Sequence, residues 1–490
     1  MAFIEGKDAP KGLWDASGGG VSFVLWRGYE MGEEKSFQQF GNVVLGKIVD
    51  FSCSRAISAQ RIRHSRSGFA TISKRSSLLA ESGLVSRKQL TMMHALLYIP
   101  LGLAVLGILT STVFVGMVLV AAVRFRRHAN AEIAAPTLDP LPPVSILKPL
   151  HGAPSYLAEC LEGYFKLDYP EYELIFCARH ADDKGLAMAA EMAKQYPSIP
   201  VTILHSGEPP WQNARCYSMH LMAEAAKHDL MVLTDADVPV TPGYLKEMVK
   251  PFGDPAVGAS TCIYRGKAVD PGFGERLEAL GMSVEMSSGV IVSDMIEEIC
   301  FTLGPSAAVR KSAINAAGGF AAFGNHAADD FMLGWKVFES GRKVALSHHL
   351  VDHIILKSSF VKTLEHQLSW MRSTRFSRPA GHFGTGTTFS LPFGILALIG
   401  GYVAGQMPIG VALFFFTVLV KFLQALVVSS VVVGSDAAVM DSWLYPLRDL
   451  MGFGFWVQSY LSNRLPWHGK IFILEPGGTM HLEEKKAQRG

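Results

Sequence analysis

Charge and paired cysteines are what this 490-residue chain has little of. Only 18% of its residues are Asp, Glu, Lys or Arg, and 45 bases against 43 acids leave a formal charge of +2. So small an excess, with the bases gathered beside hydrophobic segments and not along one stripe, argues against a nucleic-acid partner. Six cysteines (Cys53, Cys160, Cys177, Cys216, Cys262, Cys300) include no CxxC pair. That spacing fits neither a zinc site nor a disulfide framework, and it places the polar part of the chain in a reducing, cytosolic compartment. Acids are almost missing from residues 52 to 90, where Glu81 stands alone among Ser and Arg. Residues 1 to 92 receive no function. They read as a disordered tail, a targeting segment or an over-extended start ahead of Met92 or Met93. The last is preferred, because Met93 leads straight into a hydrophobic run.

What the chain does have is apolar sequence, with a mean hydropathy of +0.23. Ala95 to Val123 carries only Ser and Thr as polar interruptions, and at about 20 residues per span it can cross a bilayer. Arg124, Arg126, Arg127 and His128 follow immediately, which puts the middle of the chain on the cytosolic side. Phe389 to Gly405 and Met407 to Gly434 read as a helical hairpin, with Lys421 snorkelling or facing a neighbouring helix. Trp443 to Leu465 carries Arg448 and Asp449 and suits an interfacial or re-entrant helix. The expected organisation is an N-terminal span (93–127), a cytosolic domain (128–386), a membrane region (387–465) and a cytosolic tail (466–490). The whole is an integral protein of the inner or plasma membrane if bacterial.

Between the spans, β-rich runs alternate with amphipathic helical stretches, which predicts an α/β fold with a largely parallel sheet. The runs are Val144–Lys148, Tyr172–Cys177, Val201–Leu204 and Leu230–Thr234. Ligands of open α/β sheets sit at the carboxyl ends of strands, just where Asp183 and Asp235 fall. Asp235-Ala236-Asp237 offers two carboxylates to a divalent ion shared with a diphosphate. The tripeptide alone is a weak signal, and a strand-ending turn with solvated acids is the plain alternative. Asp183 reads equally as a helix N-cap, and Asp329-Asp330 as an acidic first turn. His366 and Trp370, four apart on a predicted helix, share a face suited to a phosphate and a sugar, or to the lipid interface with Arg372, Arg375 and Arg378.

Taken in order, these pieces resemble the ceramide glucosyltransferase family, including bacterial relatives associated with hopanoid lipids. The resemblance runs from about Pro143 to the C-terminus. It rests on Val144-Ser-Ile-Leu-Lys-Pro-Leu-His-Gly152, Leu167-Asp-Tyr-Pro170, Asp182-Asp183, Thr234-Asp-Ala-Asp237, Thr261-Cys-Ile-Tyr-Arg-Gly266, Ala317-Gly-Gly-Phe320, Ala328-Asp-Asp-Phe-Met-Leu-Gly334 and Pro476-Gly-Gly-Thr479. It implies a GT-A domain flanked by transmembrane helices, a UDP-sugar donor, inversion at the anomeric carbon, and the hydroxyl of a membrane lipid, ceramide or a hopanoid, as acceptor. It also implies roles: Asp183, Asp235, Asp237 and His366 toward the donor, Asp235 and Asp237 on Mg²⁺ or Mn²⁺, Asp330 as base, and Trp370, Asp329 and Arg372 on the acceptor side.

Two departures stand out. Ser369 occupies the arginine position of the family's (Q/R)xxRW motif, which removes a phosphate clamp. Arg215, in Asn213-Ala-Arg215, stands where lysine is expected. Transfer of one sugar, glucose first, is the favoured function. N-acetylglucosamine transfer to a hopanoid, a processive polysaccharide synthase and a catalytically impaired scaffold are the alternatives. Three or four spans around a large cytosolic domain argue against a transporter.

Overall fold

The computed structural model describes Met92, residues 95 to 467 and residues 469 to 483; the sequence reading of residues 1 to 91 lies outside them. Seven strands form the main sheet: β1 (Val144–Pro149), β2 (Tyr172–Ala178), β3 (Val201–His205), β4 (Leu230–Thr234), β5 (Val257–Ala268), β6 (Ser306–Arg310) and β7 (Lys343–Ile355). Their order is β3-β2-β1-β4-β6-β5-β7. Pairing is parallel among the first four strands and between β5 and β7, while β6 runs antiparallel to both neighbours. The first four strands coincide with the runs expected from sequence. The order reverses direction at β1 and β4, so a crevice opens beyond their carboxyl ends, the usual ligand position in such sheets.

Before the sheet comes α1 (Ile99–Ala134), and between its strands run α2 (Leu157–Phe165), α3 (Lys184–Gln195), α4 (Ala214–Ala225), α5 (Tyr244–Val249), α6 (Phe273–Leu280), α7 (Ser287–Ile296), α8 (Lys311–Ala316) and α9 (Asp329–Glu339). After β7 follow α10 (Phe360–Ser377), α11 (Pro379–Thr385), α12 (Leu391–Val403), α13 (Met407–Val427), α14 (Asp436–Asp441) and α15 (Tyr445–Ser459). Strand residues alternate between two cores, as period-two geometry requires. Val144, Ile146, Leu174, Phe176 and Val232 pack with α2 and α5. Leu147, Ile175, Met231 and Leu233 pack with α4 and α9, and that core continues into Val118, Ala122 and Phe125 of α1 and Ala425 of α13. The seven-stranded sheet and the apolar helices therefore share one interior.

Three described helical stretches are long and apolar enough to cross a membrane: Ala95–Ala134, Phe273–Ile296 and Met407–Val433. The first and last match expectation. At 36 residues α1 is about 54 Å long, well over the roughly 30 Å of a hydrocarbon core. Its far end enters the sheet domain, where Glu132 accepts from the His348 amide at 3.1 Å and its carbonyl from Lys250 at 3.0 Å. The expected first arm of the hairpin is shorter than its sequence implied: α12 has 13 residues, about 20 Å. It packs closely on α13, and a Cβ on Gly401 would come within 2.9 Å of Gly410 Cα, the small-residue contact common between membrane helices.

Lys421 faces its neighbours. Its ammonium pairs with Asp449 at 2.9 Å, both 2% exposed, and donates to the Thr388 carbonyl and Gln424. The other Asp449 oxygen accepts the Ser390 and Leu391 amides at the start of α12. Residues 464 to 482, which cross the expected boundary between membrane region and tail, form a second antiparallel sheet of β8 (Arg464–Trp467), β9 (Lys470–Leu474) and β10 (Met480–Leu482) around Leu465, Phe472, Leu474 and Met480.

Candidate active site

Four carboxylates meet beyond β4. Asp235 and Asp237 leave the end of that buried strand, and Asp329 and Asp330 form the first turn of α9, where the helix dipole favours negative charge. Arg215, near the start of α4, ties the two pairs together. Its Nε and Nη2 donate to Asp235 Oδ1 at 3.0 and 2.7 Å, its Nη1 to Asp329 Oδ2 at 2.5 Å, and its Nη2 also to the Gly304 carbonyl at 3.2 Å. Planar, five-donor geometry is what lets one side chain hold both acids. Asn213 places Arg215: it caps α4 by accepting from Cys216 N at 3.0 Å and donates to the His326 carbonyl in the segment before Asp329.

Among the described residues Asp330 has no cation of its own within ion-pair distance. Its Oδ1 accepts from the next amide, Phe331 N, at 2.8 Å. Its Oδ2 turns to the same point as Asp235 Oδ2, since a Cβ built on Gly304 would lie 3.1 Å from one and 3.7 Å from the other. Any side chain there would fill the gap between the two carboxylates. Burial, and then the neighbouring Asp329 charge, push the Asp330 carboxyl up to about 6, with Arg215 opposing. Between Arg215, Gly304, Asp329 and Asp330 the crevice has only about 10 Å³ of free space, roughly one water. Arg215 thus occupies the ground between the acids.

Asp237 has spare capacity. Its Oδ1 is buried with no hydrogen-bond partner among the described residues, and Oδ2 lies 3.4 Å from His353 Nε2 on β7. Burial raises its pKa, and His353 pulls the other way. No group of three or more His, Cys, Asp or Glu is arranged to hold a metal among the described residues. A diphosphate-bound ion needs fewer protein ligands, because phosphate oxygens and water complete its shell. The orphaned Asp237 oxygen and Asp235 Oδ2, which has no hydrogen bond among the described residues, would suit such an ion.

The remaining expected residues are placed differently. Asp183 caps α3, its Oδ1 accepting from Gly185 N at 2.7 Å and its Oδ2 from Gly152 N at 2.9 Å. Both oxygens are engaged by backbone, so the carboxylate shapes the loop after β1. His366 and Trp370 do share a face of α10, their rings 4.3 Å apart. His366 Nδ1, however, lies 3.1 Å from Glu278 Oε1 of α6, and no described hydrogen bond or ion pair joins either residue to the four acids. Ser369 bonds back to the Glu365 carbonyl at 2.9 Å, and Arg372 donates to the Arg464 carbonyl at 3.0 Å. Arg372 therefore anchors β8.

The C-terminal sheet reaches the acids through the backbone. Ala327 N donates to the Gly478 carbonyl and Met480 N to the Asn325 carbonyl, bracing the segment that leads into Asp329. Gly477 and Gly478 have φ of 89° and 87°, a region suited to glycine. A Cβ on Gly478 would also strike Ser377 Oγ at 2.7 Å. This accounts physically for Pro476-Gly-Gly-Thr479.

Sequence reasoning singled out Arg215 only as an oddity of its motif and left Lys148 and His353 without roles. A lysine inside an apolar strand was the signal for Lys148. For His353 there was none, because its place depends on β7 pairing with β5.

The mixed α/β fold, with its largely parallel sheet, resembles that of the GT-A glycosyltransferases. Within that class the chain belongs to glycosyl transferase family 21, whose family model matches residues 103–480. It is 27% identical over 225 residues to ceramide glucosyltransferase 1 of Caenorhabditis elegans, 46% of this chain and 47% of that one. It is 24% identical over 346 residues to ceramide glucosyltransferase 3 of the same animal, 69% of this chain and 74% of that one. The chain thus spans about half the length of the first of these relatives. Among solved structures, a mannosyltransferase from Pyrobaculum calidifontis in complex with GDP-Man and Mn²⁺ superposes with a TM-score of 0.42 at 15% identity, over 73% of this chain and 98% of that one.

Proposed function

We propose that this protein transfers one sugar, glucose, from a UDP-sugar to the hydroxyl of a membrane lipid of the ceramide type, with inversion at the anomeric carbon. The observation that carries the reading is Asp330: a half-buried carboxylate without a cationic partner of its own, raised to about 6, facing Asp235 across Gly304. Such a group is a stronger base than an ordinary carboxylate and is still ionised at neutral pH. It takes the acceptor proton as the lipid oxygen bonds to C1 of the sugar and the bond from C1 to the UDP oxygen breaks. Asp235 and Asp237 would hold Mg²⁺ or Mn²⁺, which when bound would supply positive charge on the diphosphate side. Arg215, held between Asp235 and Asp329, offers a second positive centre on that side. Asp183 orders the loop beside the nucleotide, and His366 and Trp370 belong to the donor and acceptor approaches from α10.

The lipid acceptor and the apolar helices explain each other. A reacting hydroxyl at headgroup depth is met at high effective concentration by a domain whose core continues into α1 and α13. On this reading the protein is integral to the membrane, with its sheet domain on the cytosolic face. Purified full-length protein supplied with radiolabelled UDP-glucose, UDP-N-acetylglucosamine or UDP-galactose, and ceramide or hopanoid acceptors, should yield a single-sugar lipid from UDP-glucose and ceramide. Chelation should stop the reaction and added Mn²⁺ restore it. A high-mass polymer would favour a processive synthase, and no transfer with any pair would favour a scaffold.

A further inference from the structure

Beneath the carboxylates lies a second device that the reaction chemistry does not require by itself. Lys148, on β1, is 0% exposed, and no carboxylate lies within ion-pair distance of it among the described residues. Its ammonium donates to the backbone carbonyl of Asp235 at 2.6 Å and sits 4.0 Å from the centroid of the Tyr164 ring. Tyr164, also 0% exposed, donates its hydroxyl to the Val238 carbonyl at 3.0 Å and shares a hydrogen bond of 2.7 Å with Thr234 Oγ1. Tyr164 is held in turn by an edge contact with Tyr244, whose own hydroxyl bonds to Ser306 on β6 at 2.6 Å.

Three anchor points follow. The strand-to-turn segment 234–238 is gripped before the first acid at Thr234, on the first acid's own peptide at Asp235, and after the second acid at Val238. A buried lysine with one carbonyl and one ring for company is expensive to keep, since an ammonium has three donors and loses its hydration. An apolar residue of similar length would fill the same space without that penalty. Retaining the charge makes sense where it acts on something nearby, and both acids of the turn it grips interact electrostatically with it.

We propose that Lys148 and Tyr164 are positioning residues for metal-diphosphate binding. Together they fix the turn so that Asp235 and Asp237 present oxygens to one ion, and the buried ammonium offsets the repulsion between two carboxylates held side by side before the ion arrives. The inference rests on the donor reading given above. Its distinguishing consequence is selectivity: losing the clamp should weaken binding of UDP with metal far more than binding of UDP without metal. A purely structural role would depress both together, along with the melting temperature.

The test uses full-length protein in detergent, with titration calorimetry of UDP in the presence of Mn²⁺ and in EDTA, beside thermal melting. Lys148→Met should bind UDP in Mn²⁺ roughly 10-fold more weakly, a typical result for losing a charge-assisted hydrogen bond, while binding in EDTA and the melting temperature stay near the wild-type values. Tyr164→Phe, which keeps the ring and removes only the hydroxyl, should show a smaller loss of the same metal-specific kind; it guards against failure of the methionine variant to fold. Wild-type binding of UDP in Mn²⁺ that both variants reproduce unchanged would overturn the clamp and leave the donor reading standing. Equal losses with and without metal would also overturn it. A wild-type protein that binds no UDP in Mn²⁺ would remove the donor reading and the clamp with it.

Discussion

Among the described residues, the Lys421–Asp449 pair between the helices of the apolar region and the acids at the carboxyl edge of the sheet are finished differently. Lys421 and Asp449 pair at 2.9 Å, and each Asp449 oxygen has a partner, one the ammonium and the other two backbone amides. At the sheet edge Asp237 Oδ1 and His353 Nδ1 are buried without hydrogen-bond partners among the described residues, and Asp330 has no cation of its own. A charge pair saturated by its own fold holds helices in register. Acids left short of partners hold capacity for something that arrives, which is how a stability site and a chemical site differ when both use the same residue types.

The largest expected effect breaks the chemical side. Asp330→Asn should lower turnover about 1,000-fold or more, the scale of a lost general base, with UDP binding kept. Because the folded-state pKa of Asp330 is raised, its ionised form is less welcome in the folded than in the unfolded chain. Protonation therefore favours folding, and that contribution is lost as pH rises through about 6. At pH 7.5 the asparagine variant should then be more stable than wild type, by about 1–2 kcal/mol, read by denaturant melting. A variant that loses activity and stability together would mean that Asp330 is a structural acid like Asp449.

The next effect falls on the other cluster. Lys421→Met leaves Asp449 buried without its cation and should cost about 3–5 kcal/mol, seen as a lower melting temperature, with turnover per folded molecule unchanged. The smallest effect is at α10. Ser369→Arg should leave activity within about 3-fold of wild type, because Ser369 is bonded to its own helix and Arg215 already stands among the acids. A sharp gain in initial rate would place α10 nearer the reacting groups than its described contacts do.

Much of this comparison was legible in the sequence where local rules act alone. Leu230–Thr234 is continuous and apolar, so its strand and the delivery of Asp235 to the sheet edge follow from pattern. Asp329 and Asp330 announce a helix start, and Asp183 a cap; both local readings hold, while the second Asp183 oxygen is taken by Gly152, 31 positions away. What could not be read depends on partners distant in the chain. Arg215 meets Asp329 across 114 positions and His366 meets Glu278 across 88, and nothing in either local pattern names the other end. Lys421 carried only the sign that something had to offset its burial. The C-terminal glycines were visible as a motif, but their use, a turn against Ser377 that braces the approach to Asp329, needed the second sheet.

The claim that Asp330 is the base is tested most directly by the pH dependence of kcat/KM for sugar transfer, with donor and Mn²⁺ well below saturation, because that quantity reports the base of the free protein. The account predicts a value that climbs about 10-fold per pH unit at low pH, bends near 6 and is level above it, as a base of that pKa requires. A value that stays flat from about pH 5 to 7.5, or a bend that survives in Asp330→Asn, would contradict it.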